Sequence, residues 1–238
     1  MPRLARVVGV GLPHHIVQRG NCRQRVFESE YDREYYLRLI SECSSRAGLS
    51  ILAYCLMTNH VHFIAIPKKK DSMARTFNSA HMRYSQYFNY KHKLIGHLWQ
   101  GRYFSCVLDE KHLIAAARYV ERNPLRAALV GSAENWKWSS AAVHCVRAGD
   151  PFGFSLDSLL EILGLSGRGW RELLDEAQAE TEISEIRAHT SVGRPLGNKS
   201  FLAGIEKRLG RRVGAMPPGR PKGTKQGAVP SYKIGRCP

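Results

Sequence analysis

The chain has 238 residues and a formal net charge of +16, which favours a polyanion such as nucleic acid as its partner. No apolar run approaches the roughly 18 residues that a membrane span requires, and the N-terminus lacks the pattern of a signal peptide. Six scattered cysteines without a Cys-x-x-Cys pair argue against a zinc knuckle and a secreted disulfide scaffold, so we expect a cytoplasmic protein.

Seven elements with strand or helix patterns follow one another in the first part of the chain. They are a strand, a helix, two strands, a helix, a strand and a helix, over residues 14–19, 30–47, 51–57, 61–66, 71–90, 103–108 and 113–122. The order βαββαβ predicts an α+β fold, a ferredoxin-like antiparallel sheet with helices on one face. The turn-prone pair Thr58-Asn59 suits the central hairpin.

Two histidines stand at the head of the second hairpin strand. His60 and His62 are two residues apart, so both imidazoles leave the same face of a strand while Val61 points toward the core. Two neutral imidazoles on a rigid strand are a natural pair of metal ligands, and they would also suit a small zinc hydrolase that activates water. His14 and His15 are adjacent, so we expect them to face opposite sides of the first strand, which disfavours a metal site shared by those two.

A tyrosine and an asparagine share one face of the last predicted helix. Tyr119 and Asn123 are four residues apart and are therefore stacked along the helix. Beside a histidine metal pair, the phenol would be a nucleophile and the amide oxygen a third ligand. The alternative is structural: Tyr119 is a core aromatic, and Asn123 caps the helix before Pro124.

Four sequence blocks occur in a fixed order, and together they carry a family resemblance. They are Met57-Thr-Asn-His-Val-His62, Trp99-Gln-Gly-Arg-Tyr-Phe104, Tyr119-Val-Glu-Arg-Asn-Pro124 and Trp136-Lys-Trp-Ser-Ser140. Across residues 10–145 the chain resembles the single-tyrosine HUH transposases, most of all the branch of REP-associated tyrosine transposases. Many members of the family carry Gln where this chain has Asn123, but Asn followed by Pro is common in that branch.

The resemblance implies a metal-dependent nuclease and strand transferase that acts on single-stranded or hairpin-forming repeat DNA. His60, His62 and Asn123 would hold a divalent ion, Mg²⁺ or Mn²⁺, although Zn²⁺ would also fit these ligands. Tyr119 would attack the DNA and form a 5′-phosphotyrosine. Rejoining would need no nucleotide cofactor, and no Gly-x-x-x-x-Gly-Lys-[Ser/Thr] loop is found in the sequence. The family contains monomers as well as dimers whose tyrosine helix serves the partner's histidine pair, so a homodimer is possible.

Several basic or polar side chains are candidate contacts for the DNA backbone. In the body of the chain they are Arg19, Asn21, Lys68, Lys69 and Arg102. Each of them could equally be an ordinary solvated side chain. A rival function is a non-catalytic nucleic-acid-binding module, because RNA-recognition domains share the βαββαβ core, although their Lys/Arg-Gly-Phe/Tyr consensus is absent here.

The domain organisation follows the distribution of charge. Residues 1–149 form the predicted transposase domain, residues 150–210 an acidic-to-basic helical extension, and residues 211–238 a basic tail rich in Pro and Gly that we do not expect to fold. Within the extension, helices are predicted over 157–163, 170–180 and 200–209. We expect the first two to dock on the body of the protein through Leu159, Leu160, Leu173 and Leu174. In the tail, Arg220 lies in a Gly-Arg-Pro sequence similar to the core of AT-hook peptides, which suggests a minor-groove contact.

Overall fold

Four antiparallel strands form one sheet in the order β2-β3-β1-β4. The computed structural model describes residues 5–146 and 149–214. The strands are β1 His14–Arg19, β2 Leu49–Leu56, β3 His60–Pro67 and β4 Phe104–Val107. The α+β class and the βαββαβ order are confirmed, because a helix connects β1 to β2 and another connects β3 to β4.

The helices of the described ranges fall into a first group around the sheet and a second group in the C-terminal extension. The first group is α1 Glu30–Ala47, α2 Ser72–His92, α3 Glu110–Glu121, α4 Asn123–Arg126 and α5 Ala141–Val146. The second group is α6 Asp157–Leu163, α7 Gly167–Asp175, α8 Glu180–Val192 and α9 Lys199–Leu209. None of the helices in the described part of the chain is long and apolar enough to span a membrane.

Side-chain alternation along β3 divides the interior of the protein into two layers. Val61 and Phe63 face α1 and α2, which cover one side of the sheet as predicted. His62 and Ile64 leave the opposite side, where α3 and the extension form a second apolar cluster around Ile64. Both faces of the sheet are therefore covered, and the helix of Tyr119 lies over the face that carries the histidines.

The extension, residues 150–210, packs on this second face through α6, α7 and α8. The leucines expected to dock are indeed buried or partly buried there: Leu159, Leu160, Leu173 and Leu174. The helix predicted over 170–180 is wrong in its bounds, because α7 ends at Asp175 and the chain turns so that Gln178 donates a hydrogen bond to the Ala115 carbonyl of α3 (2.8 Å). Helix α8, which follows this turn, was not predicted at all.

A fully buried carboxylate on α3 joins the sheet to the extension. One oxygen of Glu121 accepts hydrogen bonds from the Ser140 hydroxyl and from His144 Nδ1 (2.6 Å), and the other accepts from Trp170 Nε1 (2.8 Å). Burial alone would lower the pKa of His144, but the Glu121 carboxylate outweighs it and raises that pKa. His144 Nε2 faces the Leu156 carbonyl (3.1 Å), so both ring nitrogens meet acceptors, and the imidazolium is the form in which both of these hydrogen bonds are made.

We expect Glu121→Ala to lower the free energy of unfolding by about 3–5 kcal/mol, because the change leaves the buried imidazolium of His144 and the indole N–H of Trp170 without the carboxylate acceptor. Glu110→Ala, at an exposed position on the same helix, should cost less than about 1 kcal/mol. Urea denaturation followed by circular dichroism measures both values. Equal losses in the two variants would show that the buried carboxylate contributes nothing of its own.

A second buried histidine is held in its neutral form. His14 donates from Nδ1 to the Leu12 carbonyl (2.8 Å) and accepts at Nε2 from the Gly9 amide (3.2 Å). Burial lowers the pKa of His14 to about 4, whereas an unfolded histidine titrates near 6.5. Below pH 6.5 the unfolded chain takes up this proton first, so the contribution of His14 to stability is present above pH 6.5 and declines as the pH falls toward 4.

We therefore expect the free energy of unfolding to fall less steeply with pH in His14→Gln than in the parent protein between pH 6.5 and 4.5. The slopes should differ by at most about 1.4 kcal/mol per pH unit, the value for one proton. Urea titrations at several pH values measure the slopes, and His97→Gln, at an exposed position, is the matched control. Parallel curves for the parent and His14→Gln would contradict the assignment.

Candidate active site

Three histidines converge on the sheet face beneath α3. His60 and His62 come from β3, and His15 comes from the neighbouring strand β1. His62 and His15 are both buried, and His15 Nε2 lies 3.0 Å from His62 Nδ1. The His60 and His62 rings, with centroids 5.0 Å apart, lie at 78° to each other. The sheet thus brings the predicted pair together and adds a third imidazole that the sequence did not assign to it.

The tautomer of His60 is set by its neighbour in the chain. The Asn59 amide nitrogen donates to the Arg23 carbonyl (3.0 Å), so its oxygen faces His60 Nδ1 at 2.6 Å. An amide oxygen only accepts, so His60 Nδ1 must carry the proton and Nε2 must carry the lone pair. A hydrogen bond of this kind to the far ring nitrogen is what orients histidines that ligate metals.

Both members of the pair are neutral at physiological pH. Burial, and then the positive charges of Arg19 and Arg126, lowers the pKa of His60 to about 4. Burial, and then the nearby His60, lowers the pKa of His62 well below its usual value. Neutral imidazoles offer lone pairs to a cation. Nε2 of His62 is buried and has no hydrogen-bond partner among the described residues.

These features fit a divalent ion held by two imidazoles and completed by oxygen atoms. No group of three His, Cys, Asp or Glu side chains within residues 5–146 and 149–214 is arranged to hold a metal ion. The remaining positions would therefore fall to an amide oxygen, to water or to the substrate, which leaves the site open in the manner of catalytic metal centres.

Tyr119 lies against the histidines and is only 5 % exposed. Its ring stands edge-to-face to those of His15 and His62, with centroids 5.6 and 5.5 Å away. The guanidinium of Arg126 lies over the ring at 4.4 Å, and Arg187 Nε donates to the phenol oxygen at 3.4 Å. Two positively charged side chains therefore lie beside one phenol.

Asn123 supports the last turn of the tyrosine helix. Its amide nitrogen donates to the carbonyls of Tyr119 (3.1 Å) and Val120 (3.3 Å). Its oxygen accepts from Arg126 Nη2 (2.7 Å). The alternative considered from the sequence, that Asn123 is the helix C-cap, is wrong, because the C-cap residue is Arg122. A carbonyl oxygen has two lone pairs, so one remains for a cation.

Arg126 is the most confined cation of the site. Nη2 donates to the Tyr119 carbonyl (3.1 Å) and to Asn123, whereas Nη1 is buried and has no partner in the described part of the chain. Burial lowers the pKa of Arg126, and its charge also acts on His60 and His62. A partly buried guanidinium with a spare donor beside these groups is suited to a phosphate oxygen.

Residues 10–123 match the sequence model of the family described as "Transposase IS200 like". These residues, 114 of the 238 in the chain, are similar in sequence to that family. No match was found among the curated proteins.

Among solved structures, the fold is similar to that of the REP-associated tyrosine transposase bound to a REP hairpin. The two chains share 19% identity with a TM-score of 0.50, covering 66% of this chain and 96% of the other. At this identity the likeness concerns the fold alone. A candidate transposase from Deinococcus radiodurans R1 shares 17% identity over 54% of this chain and 92% of its own, with a TM-score of 0.36, too low to support an argument.

The predicted DNA contacts of this chain lie at two ends of the sheet. Arg19 is paired with His60 across β1 and β3, and the exposed side chains of Asn21 and Arg102 lie in segments attached to the same end. Lys68 and Lys69 follow the other end of β3, on the order of 25 Å along the strand from His60, and are exposed. Only the first set lies near the histidine pair. Arg220 falls outside the described residues.

Four residues of the site were missed by sequence reasoning: His15, Arg126, Arg187 and Thr190. Arg126 lies three residues after Asn123 and could have been found from helical spacing. His15 could not, because its place beside His62 depends on the pairing register of β1 and β3. Arg187 and Thr190 come from the unpredicted helix α8.

Proposed function

We propose that this protein is a transposase of the HUH single-tyrosine type, a metal-dependent endonuclease and strand transferase for single-stranded DNA. It acts on hairpin-forming repeat DNA through a 5′-phosphotyrosine on Tyr119. The observation that carries the proposal is the meeting, within one chain, of the Tyr119 phenol, two arginines and two neutral histidines with lone pairs to offer. Because one chain supplies all of these groups, the chemistry does not require a helix from a partner.

A divalent ion, Mg²⁺ or Mn²⁺, held by His60, His62 and Asn123 Oδ1 would neutralise a non-bridging oxygen of the scissile phosphate. Mg²⁺ prefers a shell of oxygen atoms, so two imidazole ligands favour Mn²⁺. The protein's part is to keep both imidazoles neutral and oriented, which burial and the Asn59 hydrogen bond do for His60.

Tyr119, with the two arginines beside it, would then carry out a single displacement at phosphorus. The Tyr119 oxygen loses its proton to solvent and forms a bond to phosphorus, while the bond from phosphorus to the 3′ oxygen breaks and that oxygen takes up a proton. The products are a 5′-phosphotyrosine and a free 3′-hydroxyl. The Arg187 guanidinium, 3.4 Å from the Tyr119 oxygen, would stabilise negative charge that develops there during the displacement. A second DNA 3′-hydroxyl reverses the step at a new junction without a nucleotide cofactor.

The choice of hairpin DNA as substrate rests on the structural relative, which was solved bound to a REP hairpin, and on the charge of this chain. The exposed side chains of Asn21 and Arg102, together with Arg19, offer phosphate contacts at the His60 end of the sheet. The rival function of an RNA-recognition module requires an open sheet face with stacking aromatics. Here helices cover both faces, so no observation favours that rival.

We expect Tyr119→Phe to abolish cleavage of a single-stranded hairpin and formation of a denaturant-resistant protein–DNA adduct. The change removes one oxygen and keeps the ring, so folding and DNA binding should persist. A denaturing gel with hairpin DNA labelled on the 3′ side of the cut measures both, because the phosphotyrosine retains that label.

Tyr103→Phe is the matched control for this experiment. Tyr103 is also 5 % exposed and also lies under an arginine, Arg6, whose guanidinium is 3.7 Å from the ring centroid, but it belongs to the opposite apolar cluster. It should cleave like the parent. An adduct that survives in Tyr119→Phe would mean that another group is the nucleophile, and cleavage without any adduct would favour a hydrolase that activates water.

We further expect Arg126→Lys to lower the cleavage rate by about 100-fold, the usual loss when one donor to a developing negative charge is removed. Lysine keeps the charge but cannot reproduce the two-pronged contact with Asn123 and a phosphate oxygen. Single-turnover cleavage and hairpin affinity, measured together, separate this effect from weaker binding. Arg75→Lys, at an exposed position on α2, is the control, and equal rates in both variants would contradict a role for Arg126.

A further inference from the structure

Helix α8 lies beyond the residues that match the family, yet it reaches the histidine site. It packs against β1, β4 and α3. Ile183, Ile186 and Thr190 are its buried residues. The last of these is polar, and its hydroxyl lies 2.8 Å from His15 Nδ1. A buried hydroxyl directed at a buried imidazole calls for an explanation beyond packing.

The contact is the outer end of a chain of hydrogen bonds. Thr190 Oγ1 meets His15 Nδ1, and His15 Nε2 meets His62 Nδ1 at 3.0 Å. The planes of the two imidazoles are within 2° of parallel, with centroids 5.2 Å apart. The inner end of the chain is His62 Nε2, which is buried without a partner in the described residues.

Protons can be arranged along this chain in two ways, because each neutral imidazole carries one N–H. In the first, His15 donates to Thr190 and accepts from His62 Nδ1, which leaves a lone pair on His62 Nε2. In the second, Thr190 donates to His15, His15 donates to His62, and His62 Nε2 carries a proton. Only the first arrangement can bind a cation, and the second buries an N–H without an acceptor.

We propose that Thr190 is a positioning residue: by accepting from His15 it holds His62 in the tautomer and orientation that present Nε2 to the metal. The inference rests on the proposed function, since it assigns a metal to this pair of histidines. It makes α8 a part of the active site. The same helix supplies Arg187, three residues earlier, to the phenol oxygen of Tyr119.

The test uses the full-length protein without DNA and compares three variants with the parent. Thr190→Val keeps the shape and removes the hydroxyl, Thr190→Ser restores the hydroxyl, and Thr181→Val makes the same change at an exposed position of α8. Nitrogen-15 NMR of the histidine rings in metal-free protein gives the tautomers. Titration with Mn²⁺, followed by electron paramagnetic resonance, gives the affinity.

In the parent, Thr190→Ser and Thr181→Val, we expect a proton on His62 Nδ1 and equal Mn²⁺ affinity. In Thr190→Val we expect a mixture of His62 tautomers and an affinity lower by about tenfold or more, as for other residues that orient a ligating histidine. Parent-like tautomer and affinity in Thr190→Val would overturn the inference. A proton on His62 Nε2 of the metal-free parent would overturn it too, even if Thr190→Val did not fold.

The failure of the proposed function is distinguishable from the failure of this inference. A Thr190 effect on Mn²⁺ affinity in a protein that never forms a Tyr119 adduct would support the positioning role and reject the nuclease. A Tyr119-dependent adduct together with unchanged Mn²⁺ binding in Thr190→Val would support the nuclease and reject the positioning role of Thr190. Absence of Mn²⁺ binding by the parent would overturn the inference.

Discussion

The fold depends on one buried carboxylate at the end of the tyrosine helix. Glu121 lies two residues after Tyr119. Its oxygens accept hydrogen bonds from Ser140, which comes just before α5, from His144 in α5 and from Trp170 in α7. A buried carboxylate that lost these donors would be strongly destabilising, so α3 must dock where Ser140, His144 and Trp170 can reach it. The same docking sets Tyr119 over the histidines. The hydrogen bonds of Glu121 therefore also fix the position of Tyr119, the proposed nucleophile.

The site combines two neutral histidines with two positively charged arginines. His60 and His62 are kept neutral by burial and by neighbouring cations, and two arginines flank the phenol. The positive charge of the arginines weakens the binding of a divalent cation, and an anion that arrives with the cation offsets this repulsion. A DNA phosphate supplies that negative charge. We therefore expect metal and DNA to bind cooperatively, each lowering the cost of the other.

The sequence was sufficient where spacing alone determines geometry. A two-residue interval on a strand places His60 and His62 on one face, and a four-residue interval on a helix stacks Tyr119 and Asn123. It was insufficient where geometry depends on distant pairing. The contact between His15 and His62 requires the register of β1 against β3, which is set by the packed sheet as a whole. Lys68 and Arg19 were equivalent candidates for DNA contacts in the sequence, yet the direction of β3 places Lys68 at the other end of the sheet.

Helix α8 could not be predicted because its apolar stripe is short and ends in a polar residue, and this same feature explains its contact with the histidine site. Its buried positions are Ile183, Ile186 and Thr190, so the apolar stripe is short and ends in a polar residue, and acidic side chains surround it. Such a pattern is typical of a solvated helix. A stripe that ends in a hydroxyl makes physical sense when the surface beneath it is itself polar, because a buried hydrogen-bonding group requires a partner. The partner is His15, and the polar end of the stripe therefore marks where the extension leaves the apolar core and meets the histidine site.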